Sequence, residues 1–168
     1  MRYRMISLVG EQDSPERWRD FEELLREYAG RDLAQPHLSS IWRDLENLPA
    51  RYAAPSGRAI VLHVDEALAG CIALAGTAVP GACEVKRLYV RHTHRASGWG
   101  SVLLREALGR AREAGYRQAL LSTWPDNPKA LALYAAMGFV PVPPFKNSPD
   151  QKLVYLGCDL GSADRVSA

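Results

Sequence analysis

Arg95, Gly98 and Gly100 sit between an apolar run and an amphipathic one, an arrangement suited to holding an anion. The stretch reads Leu88-Tyr89-Val90-Arg91-His92-Thr93-His94-Arg95-Ala96-Ser97-Gly98-Trp99-Gly100-Ser101-Val102-Leu103-Leu104. A strand ends, a short basic turn follows and a helix begins. The first turn of a helix presents backbone N–H groups without carbonyl partners, together with the positive end of the helix dipole. Gly98 and Gly100 let a phosphate approach that backbone with no side chain between. Arg95 adds a guanidinium able to pair with phosphate. An isolated Gly-x-Gly also serves simply to tighten a turn, so the spacing alone leaves both readings open. Two other phosphate loops do not fit: no Gly-Lys-Ser/Thr follows, and Leu103 stands where a dinucleotide fingerprint needs its third glycine.

Other polar residues point to less. His92 and His94 lie two apart with no acidic or cysteine ligand beside them, which argues for solvated loop histidines over zinc. His37 and His63 have no recognisable partner. No serine or cysteine has a Gly-x-Ser-x-Gly context, which disfavours a covalent acyl-enzyme. Cys71, Cys83 and Cys158 are odd in number and widely spaced, as expected of reduced core thiols in a cytoplasmic protein. Trp99 and Trp124 are read as core or rim packing residues.

The elements around this turn follow from periodicity. Arg2 to Val9 reads as a strand. Pro15 opens a helix on which Trp18, Phe21, Leu24, Leu25 and Tyr28 recur at helical spacing. A second helix is expected over His37 to Leu48, then a loop over Pro49 to Gly57. Ala59 to Val64 and Leu68 to Leu74 are strands joined by a tight turn at Asp65-Glu66. Cys83 to Val90 is a further strand, and Gly98 to Ala114 the strongest helix, stopped by Gly115. Arg117 to Thr123, a helix over Asn127 to Met137, and strands over Phe139 to Val142 and Lys152 to Asp159 complete the order. This is an α/β pattern, with a central mixed, mostly antiparallel sheet and about four helices. One domain over residues 1–160 is expected, with a frayed tail over 161–168.

Composition excludes several classes. The 168 residues carry 21 basic and 19 acidic side chains, a net charge of +2, too balanced for nucleic acid or an anionic membrane as main partner. The uncharged stretch Ala67 to Cys83 contains Pro80 and is too short to span a bilayer. Met5 to Gly10 is too short for a signal-peptide core.

Two motifs together carry a resemblance. Arg95-x-x-Gly98-x-Gly100 after an apolar strand resembles the acetyl-CoA pyrophosphate loop of the GNAT acetyltransferases. Asn127-Pro128-x-Ala130-x-x-Leu133-Tyr134-x-x-x-Gly138-Phe139 resembles that family's second signature, and Cys83 to Val90 the strand placed beside the thioester. The similarity covers about Ala59 to Leu160, and the N-terminal helices loosely. Ala96 departs from it, standing where a glycine is common.

The resemblance implies a GNAT-like fold and an N-acetyltransferase that uses acetyl-CoA as co-substrate, without metal, by direct attack of an amine in a ternary complex. It implies that Arg95, Ala96, Ser97, Gly98, Trp99, Gly100 and Ser101 hold the pyrophosphate. The backbone of Leu88, Tyr89 and Val90 would pair with the pantetheine amides, and Asn127 and Ala130 would also touch the cofactor. Asn127 equally suits a helix cap.

A primary amine near pKa ~10.4 is almost wholly protonated at neutral pH, and supplying its neutral form costs roughly 4–5 kcal/mol, so a base is useful. Glu84 is the candidate base, with a surface partnership to Arg or Lys as its alternative. Tyr134 is the candidate acid for the leaving thiolate, with core packing as its alternative.

The acceptor is a small-molecule or peptide amine, or a protein lysine. Its pocket is expected near the N-terminal helices, Arg51-Tyr52 and the Phe145 to Pro149 loop. Acidic residues such as Asp20, Glu22, Glu23 and Asp44 could attract an amine, but on helices such residues are more often solvated faces. A sheet edge at the C-terminal strand would support a homodimer. The competing reading is a non-catalytic acyl-CoA-binding module.

Overall fold

The computed structural model describes residues 1–161 apart from Glu11 and Ala34. The expected frayed tail therefore lies, beyond Gly161, outside the described residues. After strand β1 (Tyr3–Leu8), Pro15 starts helix α1 (Pro15–Arg31), where a missing N–H costs nothing. Helices α2 (Ile41–Glu46) and α3 (Leu48–Tyr52) come next, then β2 (Arg58–Val64), β3 (Ala67–Gly76) and β4 (Ala82–Val90). The chain continues through α4 (Trp99–Glu113), β5 (Gln118–Thr123), α5 (Pro128–Ala136), β6 (Val140–Pro141) and β7 (Val154–Asp159). The seven strands form one sheet in the order β1-β2-β3-β4-β5-β7-β6, antiparallel except for β4 and β5.

Helices cover both faces. On one side Trp18, Phe21, Leu24 and Leu25 of α1 pack with Ile41, Leu48 and Tyr52 over Val61, Cys71 and Ala73 of the sheet. On the other, Leu103, Leu104, Ala107 and Ala111 of α4 pack over Ile60, Ile72, Val85 and Leu121. The alternating strands supply both cores, as a sheet buried on two sides requires.

Two expectations need correction. The helix expected over His37 to Leu48 is broken into a 3₁₀ turn at Pro36–Leu38, then α2 and α3. The cause is Asn47, extended at φ −157° and ψ 90°, whose side chain accepts from the Ala50 N–H at 3.1 Å and caps a new helix. Pro49 lies in the first turn of that helix, so five helices flank the sheet and Tyr52 is fully buried. The C-terminal strand β7 is not at an edge. It lies between β5 and the two-residue β6, so the edge expected to support a dimer is not formed as read.

Two irregularities interrupt the middle of the sheet. The parallel ladder between β4 and β5 joins only Ala82–Glu84 to Gln118–Leu120, and beyond Glu84 the two strands part. In β4 a bulge shifts the register against β3, which pairs Ala73 with Lys86 but Cys71 with Tyr89. Arg87 takes a left-handed φ of +62° there. Consecutive strand residues ordinarily face opposite ways, yet Lys86 and Arg87 both reach Ser40 at the start of α2. The alternation is reversed beyond the bulge, so Leu88 and Val90 pack on the α4 side and Tyr89 on the α1 side.

The turn from β4 to α4 contains two further left-handed residues, Ala96 at φ +62° and Gly98 at φ +80°. Glycine adopts this conformation freely, whereas an L side chain pays roughly 1–2 kcal/mol for it, less glycine's greater chain entropy. Ala96→Gly is therefore expected to stabilise the fold by about 0.5–1 kcal/mol, raising Tm by about 1–4 °C in a thermal melt. A lowered Tm would show that the Ala96 methyl group makes a stabilising contact that outweighs its backbone strain.

Candidate active site

Where β4 and β5 part, the sheet opens into a cavity of about 290 Å³. Glu84 and Lys86 of β4, Thr123 of β5, Tyr134 of α5 and Lys146 of the β6–β7 loop line it. From Val85 onward the edge of β4 that faces β5 has no strand partner on that side. Unpaired backbone groups of this kind are hydrogen-bonding sites for an extended ligand.

Glu84 sits on the last rung of the ladder and is 6 % exposed. Its Oε1 accepts from the Lys146 ammonium. The alternative of a lysine partnership is thus realised, but inside the cavity and not on the surface. Tyr134 is half-buried and stacks edge-on against Phe139 at 5.8 Å between ring centroids. It both packs against the core and lines the cavity. Burial, with Tyr28 nearby, raises its phenol above the ordinary value, so it keeps its proton at neutral pH.

The expected anion loop divides into backbone and side-chain parts. Helix α4 begins at Gly98 without any side-chain cap, leaving the first-turn N–H groups for another acceptor. A Cβ on Gly100 would meet Leu133 of α5 at 3.4 Å, so the two helices approach closely there. Ser97 is exposed and Ser101 half-buried beside this helix start. The Trp99 ring is buried and packs on Tyr3 at 5.2 Å, which leaves only its backbone for a ligand. Tyr89 is likewise buried, against Tyr28 at 5.6 Å, and only the backbone of Leu88, Tyr89 and Val90 runs along the open edge.

Arg95 is engaged with the protein. It donates to the Val90 carbonyl at 2.8 Å, lies over the Tyr89 ring at 5.7 Å and pairs with Asp32 just beyond α1. Asn127 caps α5, its Oδ1 accepting from the Ala130 N–H at 3.2 Å. That N–H is therefore used by the cap, and the capping expected of Asn127 is formed.

A buried network at the cavity's other wall was not legible in the sequence. Asp44, read as part of a solvated face, is 3 % exposed. It accepts from the Tyr52 hydroxyl and from Arg87 Nη2 at 2.7 Å, with Arg51 at 3.4 Å and Lys86 at 3.8 Å. Burial works to raise its carboxyl, but the charges of Lys86 and Arg87 outweigh this and hold it below the usual carboxylate range. Lys86 is lowered to about 8, chiefly by burial and then by the neighbouring Arg87. The available signal was the pair Lys86-Arg87 in the middle of an apolar strand, since two adjacent charges cannot both avoid a buried face. The other acidic residues read as solvated are paired: Asp20 with His63, Glu22 with Arg26, and Glu23 with Arg91.

The three cysteines are buried and unpaired, and burial pushes the Cys83 thiol up to about 12, which is unsuited to a nucleophile. Among the described residues no group of three His, Cys, Asp or Glu gathers to hold a metal, and no helix is long and apolar enough to cross a membrane.

Comparison with known proteins agrees with this geometry. The sequence model of the acetyltransferase (GNAT) family matches residues 18–139. An uncharacterised N-acetyltransferase of Schizosaccharomyces pombe is 31 % identical over 145 residues, covering 84 % of this chain and 87 % of its own. A GNAT-family acetyltransferase of Staphylococcus aureus superposes with a TM-score of 0.73 at 17 % identity, over 95 % of this chain and 100 % of its own. A PaiA N-acetyltransferase of Thermoplasma acidophilum, solved with coenzyme A, gives a TM-score of 0.71 at 20 % identity, over 95 % and 99 %.

The Lys86 environment sets a pH dependence. Its folded-state value of about 8 lies below the ordinary 10.5. Between those values the unfolded chain holds a proton that the folded chain has released, so this group adds stability as pH rises. The buried thiols and phenols act in the opposite direction, equally in wild type and variant. Wild type should therefore gain about 2–3 kcal/mol relative to Lys86→Met between about pH 8 and pH 10.5. Urea unfolding at a series of pH values measures the difference, and parallel profiles would contradict the assignment.

Proposed function

The chain belongs to the acetyltransferase (GNAT) family, and on that premise we propose that it moves an acetyl group from acetyl-CoA to a primary amine, by direct attack in a ternary complex. The observation that carries this reading is one cavity, at the parting of β4 and β5, that contains both a buried carboxylate and a protonated phenol. Coenzyme A bound to the Thermoplasma neighbour supports the donor. In this reading the pyrophosphate lies on the uncapped start of α4, and Arg95 joins it by exchanging Asp32 for phosphate. The pantetheine arm takes the open edge of β4 as an added strand would.

The reaction balances with groups already in the cavity. The amine nitrogen bonds to the thioester carbonyl carbon, the C–S bond breaks, and its electron pair leaves on sulfur. The amine proton passes to Glu84, directly or through water, Tyr134 gives its own proton to the thiolate, and solvent carries the Glu84 proton back to the phenolate. The products are an amide and the free thiol of coenzyme A. An N–H of the β4 edge stabilises the developing oxyanion. Three buried, unpaired thiols suit a cytoplasmic enzyme of this kind.

Amine-dependent release of the coenzyme A thiol tests the reading. Tyr134→Phe is expected to lower kcat by about 10²-fold with little change in KM for acetyl-CoA, as loss of a general acid does. Glu84→Gln should lower kcat/KM by about 10²-fold, as loss of a general base does. Normal turnover in Tyr134→Phe would end its role as acid, and binding without any turnover in wild type would leave a non-catalytic acyl-CoA-binding module.

A further inference from the structure

The charges around the cavity do not balance locally. On one wall a single carboxylate, Asp44, lies within 4.0 Å of three cations, Arg51, Lys86 and Arg87, among the described residues. Arg87 holds the strongest share, at 2.7 Å and with further bonds to Tyr52 and Ser40. Among the described residues Lys86 meets Ser40 Oγ at 3.3 Å and Asp44 at 3.8 Å, with the charge of Glu84 acting from further off, although its side chain is 7 % exposed. Buried charge without close compensation is costly, and this wall has a surplus of positive charge facing the cavity.

Two carboxylates line the same cavity beside these cations. Glu84 is matched one to one by Lys146. Asp150 also lines the cavity and is 7 % exposed; one oxygen accepts from the Lys152 N–H at 2.9 Å, while Oδ2 is buried with no hydrogen-bond partner. Glu84 and Lys86 stand two residues apart on one side of β4, about 7 Å by the rise of an extended strand. That spacing suits a small molecule with an ammonium and a carboxylate carried on one carbon.

We propose that the acceptor is a zwitterion of amino-acid type, with its carboxylate held by Lys86, Arg51 and Ser40 and its amine drawn to Glu84 and Asp150. The bulge at Arg87 makes this possible, because it brings two consecutive cations to the same face. The carboxylate supplies the counter-charge that Asp44 alone does not. The inference rests on the transferase reading and narrows it to a substrate class.

Matched acceptors test it. Each free amino acid is compared with its carboxamide and its decarboxylated amine at saturating acetyl-CoA, following thiol release. The acids that are turned over should exceed their neutral partners in kcat/KM by about 10- to 100-fold, mostly through KM, as expected for a charge-assisted contact. Arg51→Ala and Lys86→Met should each bring that ratio toward one, and Lys86→Arg should retain most of it. The inference is overturned if amides or decarboxylated amines are equal or better substrates, or if both Arg51→Ala and Lys86→Met leave the ratio unchanged. If acetyl-CoA binds and no amine of any kind releases thiol, the transferase reading itself fails and takes this inference with it.

Discussion

The parting of two parallel strands after a three-residue ladder governs everything else in this molecule. A sheet is stable because its backbone N–H and C=O groups are paired, and an interior opening forfeits that pairing. Here β4 keeps its other edge on β3, and β5 keeps its other edge on β7, so neither strand is released. The opening is thereby a fixed feature bordered by two backbone edges without a strand partner, that of β4 beyond Glu84 and that of β5 beyond Leu120. The last rung carries Glu84, and the start of α4 lies just past the end of β4. A long ligand can meet backbone donors first at the helix and then along the strand, before its reactive end reaches the carboxylate.

The Asp44 network complements this opening at its far wall. The left-handed Arg87 and the desolvated Lys86 are both unfavourable in isolation. Asp44, Tyr52 and Ser40, all brought by the segment between α1 and β2, compensate for part of that cost. The N-terminal helices therefore cover the core on one side and also fix the charges that line the cavity. A strained bulge supported by buried ion pairs is the kind of feature found where a site must be held in one geometry.

Much of the fold was legible because its signals are local. Apolar spacing gave α1 and α4, and the Asp65-Glu66 turn between two apolar runs gave the β2–β3 hairpin, whose two turn residues both adopt positive φ. The uncapped start of α4 was signalled by Gly98 and Gly100. The features that escaped the sequence depend on contacts distant along the chain. Asp44 looks like any charged helix residue until Arg87, 43 positions away, is brought against it. The bulge has no glycine to announce it, since Arg87 itself takes the left-handed conformation. Asn47 split an expected helix through a cap only one turn long. For Glu84, a lysine partner was foreseen in kind, but that it comes from the β6–β7 loop and meets the carboxylate inside the cavity was not.

The open edge of β4 and the free start of α4 together form, in this reading, an acetyl-CoA site. Thermal unfolding with and without acetyl-CoA tests that claim most directly, because it needs no knowledge of the acceptor. At about 100 times Kd the ligand adds roughly 2.7 kcal/mol, which for a chain of this size raises Tm by about 5–10 °C. That rise is predicted with acetyl-CoA, and none with NAD or ATP. A folded protein whose melting is unmoved by acetyl-CoA would contradict the claim, and the glycine turn would then be only a turn.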